Sequence, residues 1–159
     1  MREVLELLQD DAKITPEQIA TMLGMEVDAV KQRIQELEAD KTIIKYHTFV
    51  NWEKLGEEKV TALIEVKVTP QRDVGFDTVA ERIYRFPEVR SCYLMSGAYD
   101  LAVMIEGKTM KEVAMFVSMK LSTVEYVLST ATHFMLKKYK QEGVILEDQE
   151  EDRRLVVTP

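Results

Sequence analysis

Cysteine is nearly missing from this 159-residue sequence, where Cys92 is the only one. One thiol excludes an intramolecular disulfide and fits a reducing compartment. Histidine is almost as scarce: His47 and His133 stand far apart, and neither adjoins a cluster of Cys, Asp or Glu at metal-ligand spacing. Without a Ser/His/Asp, Cys/His or metal-ligand constellation, the sequence presents no catalytic residue, no metal site and no cofactor motif. His47 reads as a surface residue, and His133, inside an apolar strand, as a hydrogen-bonded core residue. No run approaches the roughly 18 unbroken apolar residues of a membrane span. The start, Met1-Arg2-Glu3, enters a helical pattern without a signal peptide, so a cytoplasmic protein with no membrane partner is expected.

An excess of positive charge is lacking too. The net charge is −7, from 21 Lys and Arg against 28 Asp and Glu, which argues against a general attraction to nucleic acid. Residues 1–59 hold 8 basic against 13 acidic side chains, residues 60–143 hold 11 against 10, and residues 144–159 hold 2 against 5.

What the sequence does have is periodicity. Val4, Leu7, Leu8 and Ala12 lie at helical spacing and predict a short helix over 2–10. In "TPEQIATML", Thr15 can cap, Pro16 takes the first helical position and Gln18 completes a capping box, while Ile19, Ala20 and Leu23 face inward up to Gly24. Val27, Val30, Ile34 and Leu37 line a third helix running to about Asp40. Two helices joined by a short Gly-containing turn form the helix-turn-helix pattern, whose second helix can present its outer face to base edges. That outer face carries Asp28, Gln32, Gln35 and Glu36, with Ala29, Lys31 and Arg33 on its flanks. Gln can pair bidentately with adenine and Arg with guanine, and Lys suits phosphate. A Gln- and Glu-bearing face also suits an ordinary solvated helix, so both readings stand at this point. "TIIKYHTFVNW" alternates enough for a short hairpin or wing, with Lys41, Lys45 and His47 as backbone contacts.

The rest of the chain alternates strands and helices. "VTALIEVKV" reads as a strand closed by Pro70; Phe76, Val79, Ala80 and Ile83 mark a helix stopped by Pro87. "VRSCYLMSG" and "YDLAVMIEG" read as two strands joined by a very tight corner. Thr109, with Glu112 at capping-box spacing, opens a helix carrying Met110, Val113, Ala114, Val117 and Leu121 on one face, and "VEYVLSTATHFMLKKYK" supplies the last strand. The order βαββαβ is the ferredoxin-like arrangement, so an α+β fold is expected. The strands are apolar on both sides at Leu63-Ile64, Leu94-Met95 and Leu101 through Ile105, which predicts a homodimer through sheet faces or edges. Core filling is the expected role of Met95, Met104, Met110, Met115, Met119 and Met135.

The boundaries read as a helix-turn-helix domain over 1–50, a linker over 51–59, a second domain over 60–142 and an acidic tail over 143–159. In the tail, the acidic middle reads as a solvated, mobile segment, with "RLVVTP" as a candidate for adding a strand to a neighbour's sheet edge.

Ile19, Ala20, Leu23 and Gly24, then Val30, Arg33, Ile34, Leu37 and Glu38, and finally Gly97, Tyr99 and Asp100 in a G-x-Y-D corner give the chain its likeness. Over about residues 2–142 it resembles the Lrp/AsnC family of feast/famine transcriptional regulators. The resemblance implies a winged helix-turn-helix domain that binds operator DNA, joined to a ligand-sensing domain that dimerises and assembles further into octamers. It implies no cofactor, and an amino acid as effector, held between dimers beside the G-x-Y-D turn. On this chain Asp100 would face the ligand's ammonium and the backbone of Ser96, Gly97 and Ala98 its carboxylate, with Tyr99 in the same turn and Thr130 and Thr132 contributing from the last strand. Glycine at the corner would let the backbone approach the ligand. The plainer alternative is that Asp100 only caps its own turn.

The chain departs from the family pattern in a short lead-in to its first helix, in Glu26 and Val27 where a small polar residue and proline commonly stand, in Lys41 where glycine commonly follows the third helix, and in having few arginines on the reading face. Two rival functions remain at this stage. One is a ligand-binding, oligomerising module whose helix-turn-helix no longer binds DNA, which the acidic N-terminal balance favours. The other is an enzyme resembling the haem-precursor decarboxylases that share this outline.

Overall fold

The computed structural model describes residues 2–57, 59–69 and 75–146. The chain divides into two compact units, residues 1–50 and 51–159, each with its own apolar core.

In the first unit, α1 (Arg2–Asp10), α2 (Pro16–Leu23) and α3 (Val27–Ala39) follow the apolar spacing of the sequence. The capping box of α2 is complete: the Thr15 backbone N–H donates to Gln18 Oε1 at 2.8 Å, and the Gln18 N–H donates to Thr15 Oγ1 at 3.3 Å. Gly24 ends α2 in the left-handed region at φ 64°, a conformation that costs glycine little. The Met25 N–H then reaches back to the Ala20 carbonyl at 2.9 Å. Val4, Ile19, Ala20 and Val30 form the buried centre, with Leu7, Leu8, Leu23, Val27 and Ile34 packed around it. Glu26 begins α3 without a side-chain cap, as its place in the sequence suggested.

The end of α3 is strained. Lys41 stands at φ 60°, the region that favours glycine, while the Asp40 carboxylate accepts from the Thr42 N–H at 2.8 Å and the Ile43 N–H donates to the Leu37 carbonyl at 2.8 Å. Those two bonds turn the chain whatever residue occupies position 41. The expected hairpin or wing does not form: residues 44–51 contain no strand, and a 3₁₀ turn at Trp52–Leu55 follows. Among the described residues, nothing in this segment joins a strand ladder. The Tyr46 hydroxyl anchors this segment to α3, donating to Glu38 Oε1 at 2.8 Å. Burial first, and this bond second, push the Tyr46 phenol above its ordinary pKa.

The second unit runs β1 (Val60–Val68), α4 (Asp77–Tyr84), β2 (Val89–Leu94), β3 (Leu101–Gly107), α5 (Met110–Met119) and β4 (Val127–Phe134), in the expected βαββαβ order. The sheet order is β2-β3-β1-β4, and every pairing is antiparallel. Ala62, Ile64, Val66 and Val68 of β1 and Leu101, Val103 and Ile105 of β3 meet Val79 and Ile83 of α4 and Val113, Phe116 and Val117 of α5. A small ladder of β5 (Lys140–Gln141) with β6 (Val144–Ile145) follows β4; the sequence pattern did not suggest it.

Several expectations are corrected here. Met110 and Ala114 are exposed, and Phe116 takes the inward position on α5, where its ring meets Phe86 edge-on at 5.5 Å; an aromatic ring buries more apolar area than either. Met95, Met110, Met115, Met119 and Met135 are exposed, not core-filling, and Met104 is half-buried. His133 is not in the core. Phe134 and Thr132 pair across Ala62 and Ile64 on the helix-covered face, so alternation turns His133 to the opposite face beside Leu63. There its Nε2 lies 3.4 Å from Glu65 Oε1. The connection between β2 and β3 spans residues 95–100 and is not a tight corner. The closing role expected of Pro70 and the readings of the tail beyond residue 146 fall outside the described residues.

Strain at position 41 yields a test. Glycine there relieves a left-handed penalty of about 1–2 kcal/mol and gives back part of it as added freedom of the unfolded chain. Lys41→Gly is expected to raise the stability of the first unit by about 0.5–1 kcal/mol in denaturant titration; an unchanged midpoint would refute the strain.

Candidate DNA-reading and effector sites

The outer surface of α3 is built by exclusion. Once Val30, Ile34 and Leu37 turn inward, Asp28, Ala29, Lys31, Gln32, Gln35 and Glu36 are left exposed and Arg33 half-buried on the flank. Lys41 and Lys45 are exposed beyond the helix. Acids answer the three polar side chains expected to contact DNA most directly. Lys31 Nζ lies 3.2 Å from Glu17 Oε1 on α2, Gln32 Nε2 donates to Glu36 Oε1 at 3.1 Å, and Arg33 Nη1 donates to Glu36 Oε2 at 3.1 Å. The Glu17 backbone N–H first, and the Lys31 ammonium next, hold the Glu17 carboxyl below its ordinary pKa. Sequence spacing could have found the Glu36 pairs, since i,i+3 and i,i+4 neighbours meet on a helix; the Lys31–Glu17 contact depends on how two helices pack.

The corner around Asp100 sits at one end of the sheet. Asp100 donates its backbone N–H to the Val66 carbonyl at 3.0 Å and accepts from the Met95 N–H at 2.8 Å. Its side chain is part of the sheet as well, because Oδ2 accepts from the Val68 N–H at 2.9 Å. Strand β3 begins at Leu101 opposite Val66, so the chain has already left the ladder where a carbonyl for Val68 would be needed. The carboxylate takes that carbonyl's place. The carboxylate therefore serves the backbone of β1, 32 residues away, and not that of its own turn as the plainer alternative had it.

Ser96, Gly97 and Ala98 are exposed, and Tyr99 and Asp100 are half-buried. Gly97 does not occupy the left-handed region, and a Cβ there would meet nothing within 4 Å. The fold itself thus leaves the space beside Gly97 open without requiring glycine there. Thr130 pairs opposite Val66, which pairs opposite Leu101. The corner and Thr130 accordingly share one end of the sheet with β1 between them, about 10 Å apart by strand spacing. The Thr130 hydroxyl lies 3.3 Å from that of Ser122. Thr132 pairs with Ile64, deeper in the sheet, so the structure does not bring it to the corner.

Sequence reasoning missed Val68 and Tyr126. The Tyr126 carbonyl accepts from the Thr69 N–H at 2.9 Å, with Tyr126 itself at φ 72°; nothing in a tyrosine's identity signals that. A shallow groove of about 490 Å³ lies between α4 and the segment after α5, lined by Arg82, Phe86, Lys120 and Glu125 among others. Its charges are matched: Arg82 Nη1 donates to Glu125 at 2.8 Å and Lys120 Nζ to Glu88 at 2.5 Å. The Arg82 guanidinium, then the Tyr126 hydroxyl, hold the Glu125 carboxyl below its ordinary pKa. None of the residues expected to contact DNA or an effector lines this groove.

Residues 1–44 match the family model for a winged helix-turn-helix DNA-binding domain, and residues 61–145 match the model for the Lrp/AsnC ligand binding domain. The chain belongs to the Lrp/AsnC family. An uncharacterized HTH-type transcriptional regulator of Bacillus subtilis, YugG, is 55% identical over 158 residues, covering 99% of this chain and 95% of its own. The HTH-type transcriptional regulator FL11 of Pyrococcus furiosus is 30% identical, covering 88% of this chain and 89% of its own. Among solved structures, a transcriptional regulator of Neisseria meningitidis in complex with L-Met superposes with a TM-score of 0.71 at 22% identity, covering 87% of this chain and 89% of that one. The feast or famine regulatory protein of M. tuberculosis, complexed with L-methionine, gives 0.72 at 22% identity, covering 88% of this chain and 92% of that one. As an Lrp/AsnC protein, the chain is a helix-turn-helix transcriptional regulator whose second unit has the family's ligand-binding fold.

The Val68 bond of Asp100 predicts a split between two variants. Asp100→Ala leaves the Val68 N–H without its acceptor and is expected to cost about 1–3 kcal/mol, while Asp100→Asn keeps an oxygen in place and costs less than about 1 kcal/mol. Thermal unfolding of both reads the difference; equal losses would show that the Val68 bond is not what matters.

Proposed function

We propose that this Lrp/AsnC regulator reads operator DNA with the outer face of α3 and responds to an amino acid bound at the sheet end around Asp100. The observation that carries the reading is the half-buried Asp100 carboxylate, fixed by Val68 beside the open backbone of Ser96 to Ala98. A carboxylate beside accessible backbone suits the ammonium and carboxylate of a free amino acid. Support for that ligand class comes from two solved relatives of the same fold that hold L-methionine. Gln32 and Arg33 would read base edges, with Lys31, Lys41 and Lys45 on phosphates, Ala29 and Gln35 beside them, and Thr130 nearer the effector than Thr132. The relatives carry regulator names, which is the ground for a non-enzymatic role, and a DNA target implies a cytoplasmic one.

One observation favours a second reading, an oligomerising module that no longer binds DNA: the acids of the first unit already engage Lys31, Gln32 and Arg33. A gel-shift titration on the chain's own upstream DNA, with and without the twenty amino acids, separates the two. A shift that responds to the pool supports the regulator; no shift at low salt supports the module. Calorimetry with the responding amino acid is expected to show binding at least about tenfold weaker in Asp100→Asn than in wild type, with the fold retained. Equal affinity would remove Asp100 from the effector site.

Assembly follows from the uncovered sheet face. Leu63 pairs with Met104 and both are half-buried there, beside exposed Tyr93. Stacking two such faces would complete the core that one chain leaves open and form a homodimer, the unit from which an octamer could be built. The double variant Leu63→Glu, Met104→Glu is expected to sediment at the monomer mass at concentrations where wild type does not; an unchanged mass would place the interface elsewhere.

A further inference from the structure

Two acids on the outer side of the helix-turn-helix pair engage the polar side chains of that side. Glu17 holds Lys31, and Glu36 holds two side chains at once, with Oε1 on the Gln32 amide and Oε2 on the Arg33 guanidinium, both at 3.1 Å. Gln and Arg are the side chains that read purines through paired hydrogen bonds, adenine and guanine respectively. One carboxylate therefore bridges both candidate base readers. Resting on the reading that α3 contacts DNA, we propose that Glu36 is a specificity-determining residue of the helix.

It acts first through geometry. The Gln32 amide has two N–H groups and one oxygen. With one N–H held by Glu36, the other N–H and the oxygen remain, and these are the donor and acceptor an adenine edge requires. Arg33 has five N–H groups in a rigid fork; the bond on Nη1 fixes its plane and leaves the remaining donors for a guanine edge. Gln32 is exposed and the Arg33 side chain is 37% exposed, so both can swing away in the absence of that tether.

Charge is the second route. Glu36 stands on a face that also carries Asp28, in a segment where acids outnumber bases. A full negative charge there lowers the affinity for any duplex through phosphate repulsion. Only a sequence that lets Gln32 and Arg33 complete base contacts offsets that cost, so the acid sacrifices affinity to raise discrimination. An exposed i,i+4 pair adds little to helix stability, so its role shows in DNA binding and not in unfolding.

The test uses the full chain and a library of duplexes with a randomised core long enough for two half-sites, about 30 base pairs. Wild type, Glu36→Ala, Glu36→Gln and the distant charge control Glu3→Gln are each carried through selection, then titrated against the selected and the unselected pool across a salt series. For Glu36→Ala we expect binding to the unselected pool to tighten several-fold, with a salt slope steeper by about one phosphate contact. The ratio of selected to unselected affinity should fall about tenfold, with relaxed preference at the purines read by Gln32 and Arg33. Glu36→Gln, which keeps one hydrogen-bonding oxygen, should tighten unselected binding while retaining more of the ratio, and Glu3→Gln should leave the ratio unchanged. An unaltered motif and ratio in Glu36→Ala, or an equal loss in Glu3→Gln, would overturn the assignment. A wild-type selection that enriches no motif would instead overturn the DNA reading on which it rests.

Discussion

Strand β1 is hydrogen-bonded along both edges, to β3 on one side and β4 on the other, and its alternate residues Ala62, Ile64, Val66 and Val68 are almost wholly removed from water. Those four side chains provide the surface against which both helices of the second unit close. A backbone paired on both edges leaves its polar groups satisfied, which lets a strand this apolar lie at the centre of a fold. Where that pairing runs out, near Lys67 and Val68, the ladder with β4 shifts register and the Asp100 carboxylate steps in as an acceptor. The corner proposed to sense an effector is thus the place where the central strand needs help from a side chain. A ligand that competes for, or reinforces, that carboxylate acts directly on the end of the sheet.

The first unit depends on a smaller device. The reciprocal Thr15–Gln18 box and the left-handed Gly24 set the two ends of α2, and the Val4, Ile19, Ala20 and Val30 cluster holds α3 against it. With its apolar stripe committed, the remaining surface of α3 is polar by necessity. On that surface the acids are not bystanders. Glu17 and Glu36 pair with the side chains that a DNA reader would use, and under the proposed reading this reconciles a helix-turn-helix fold with an acidic domain: general attraction to phosphate would be low, and discrimination would fall to placed hydrogen bonds.

Much of this was legible in the sequence, though unevenly. The three N-terminal helices, the capping box and the βαββαβ order follow from period and cap residues, which act over four or five neighbours. The inward choice of Phe116 over Met110 and Ala114 did not follow, because a helix carrying apolar residues on several sides does not announce which side a sheet will cover. His133 failed for a related reason: in a strand flanked by apolar residues, only the register against β1 tells which face a given residue occupies. The wing failed because alternation predicts extended backbone and not a partner for it. Of the candidate site, the helix face was readable as a face, and the β2–β3 connection was readable as a reversal but not in its six-residue length. The bond from Val68 to the Asp100 carboxylate was not, since it arises from where β3 stops relative to Val68.

By itself the sequence determined the local elements, the family likeness and the identity of the side chains on the outer surface of α3, because these depend on short-range spacing and on chemistry carried in the residues. Tertiary structure alone decided that Lys31 meets Glu17 and that Thr130 shares a sheet end with Asp100 while Thr132 does not. Each of these sets residues distant in the chain against one another. Strand register and helix packing fix such relations only after the whole core has closed.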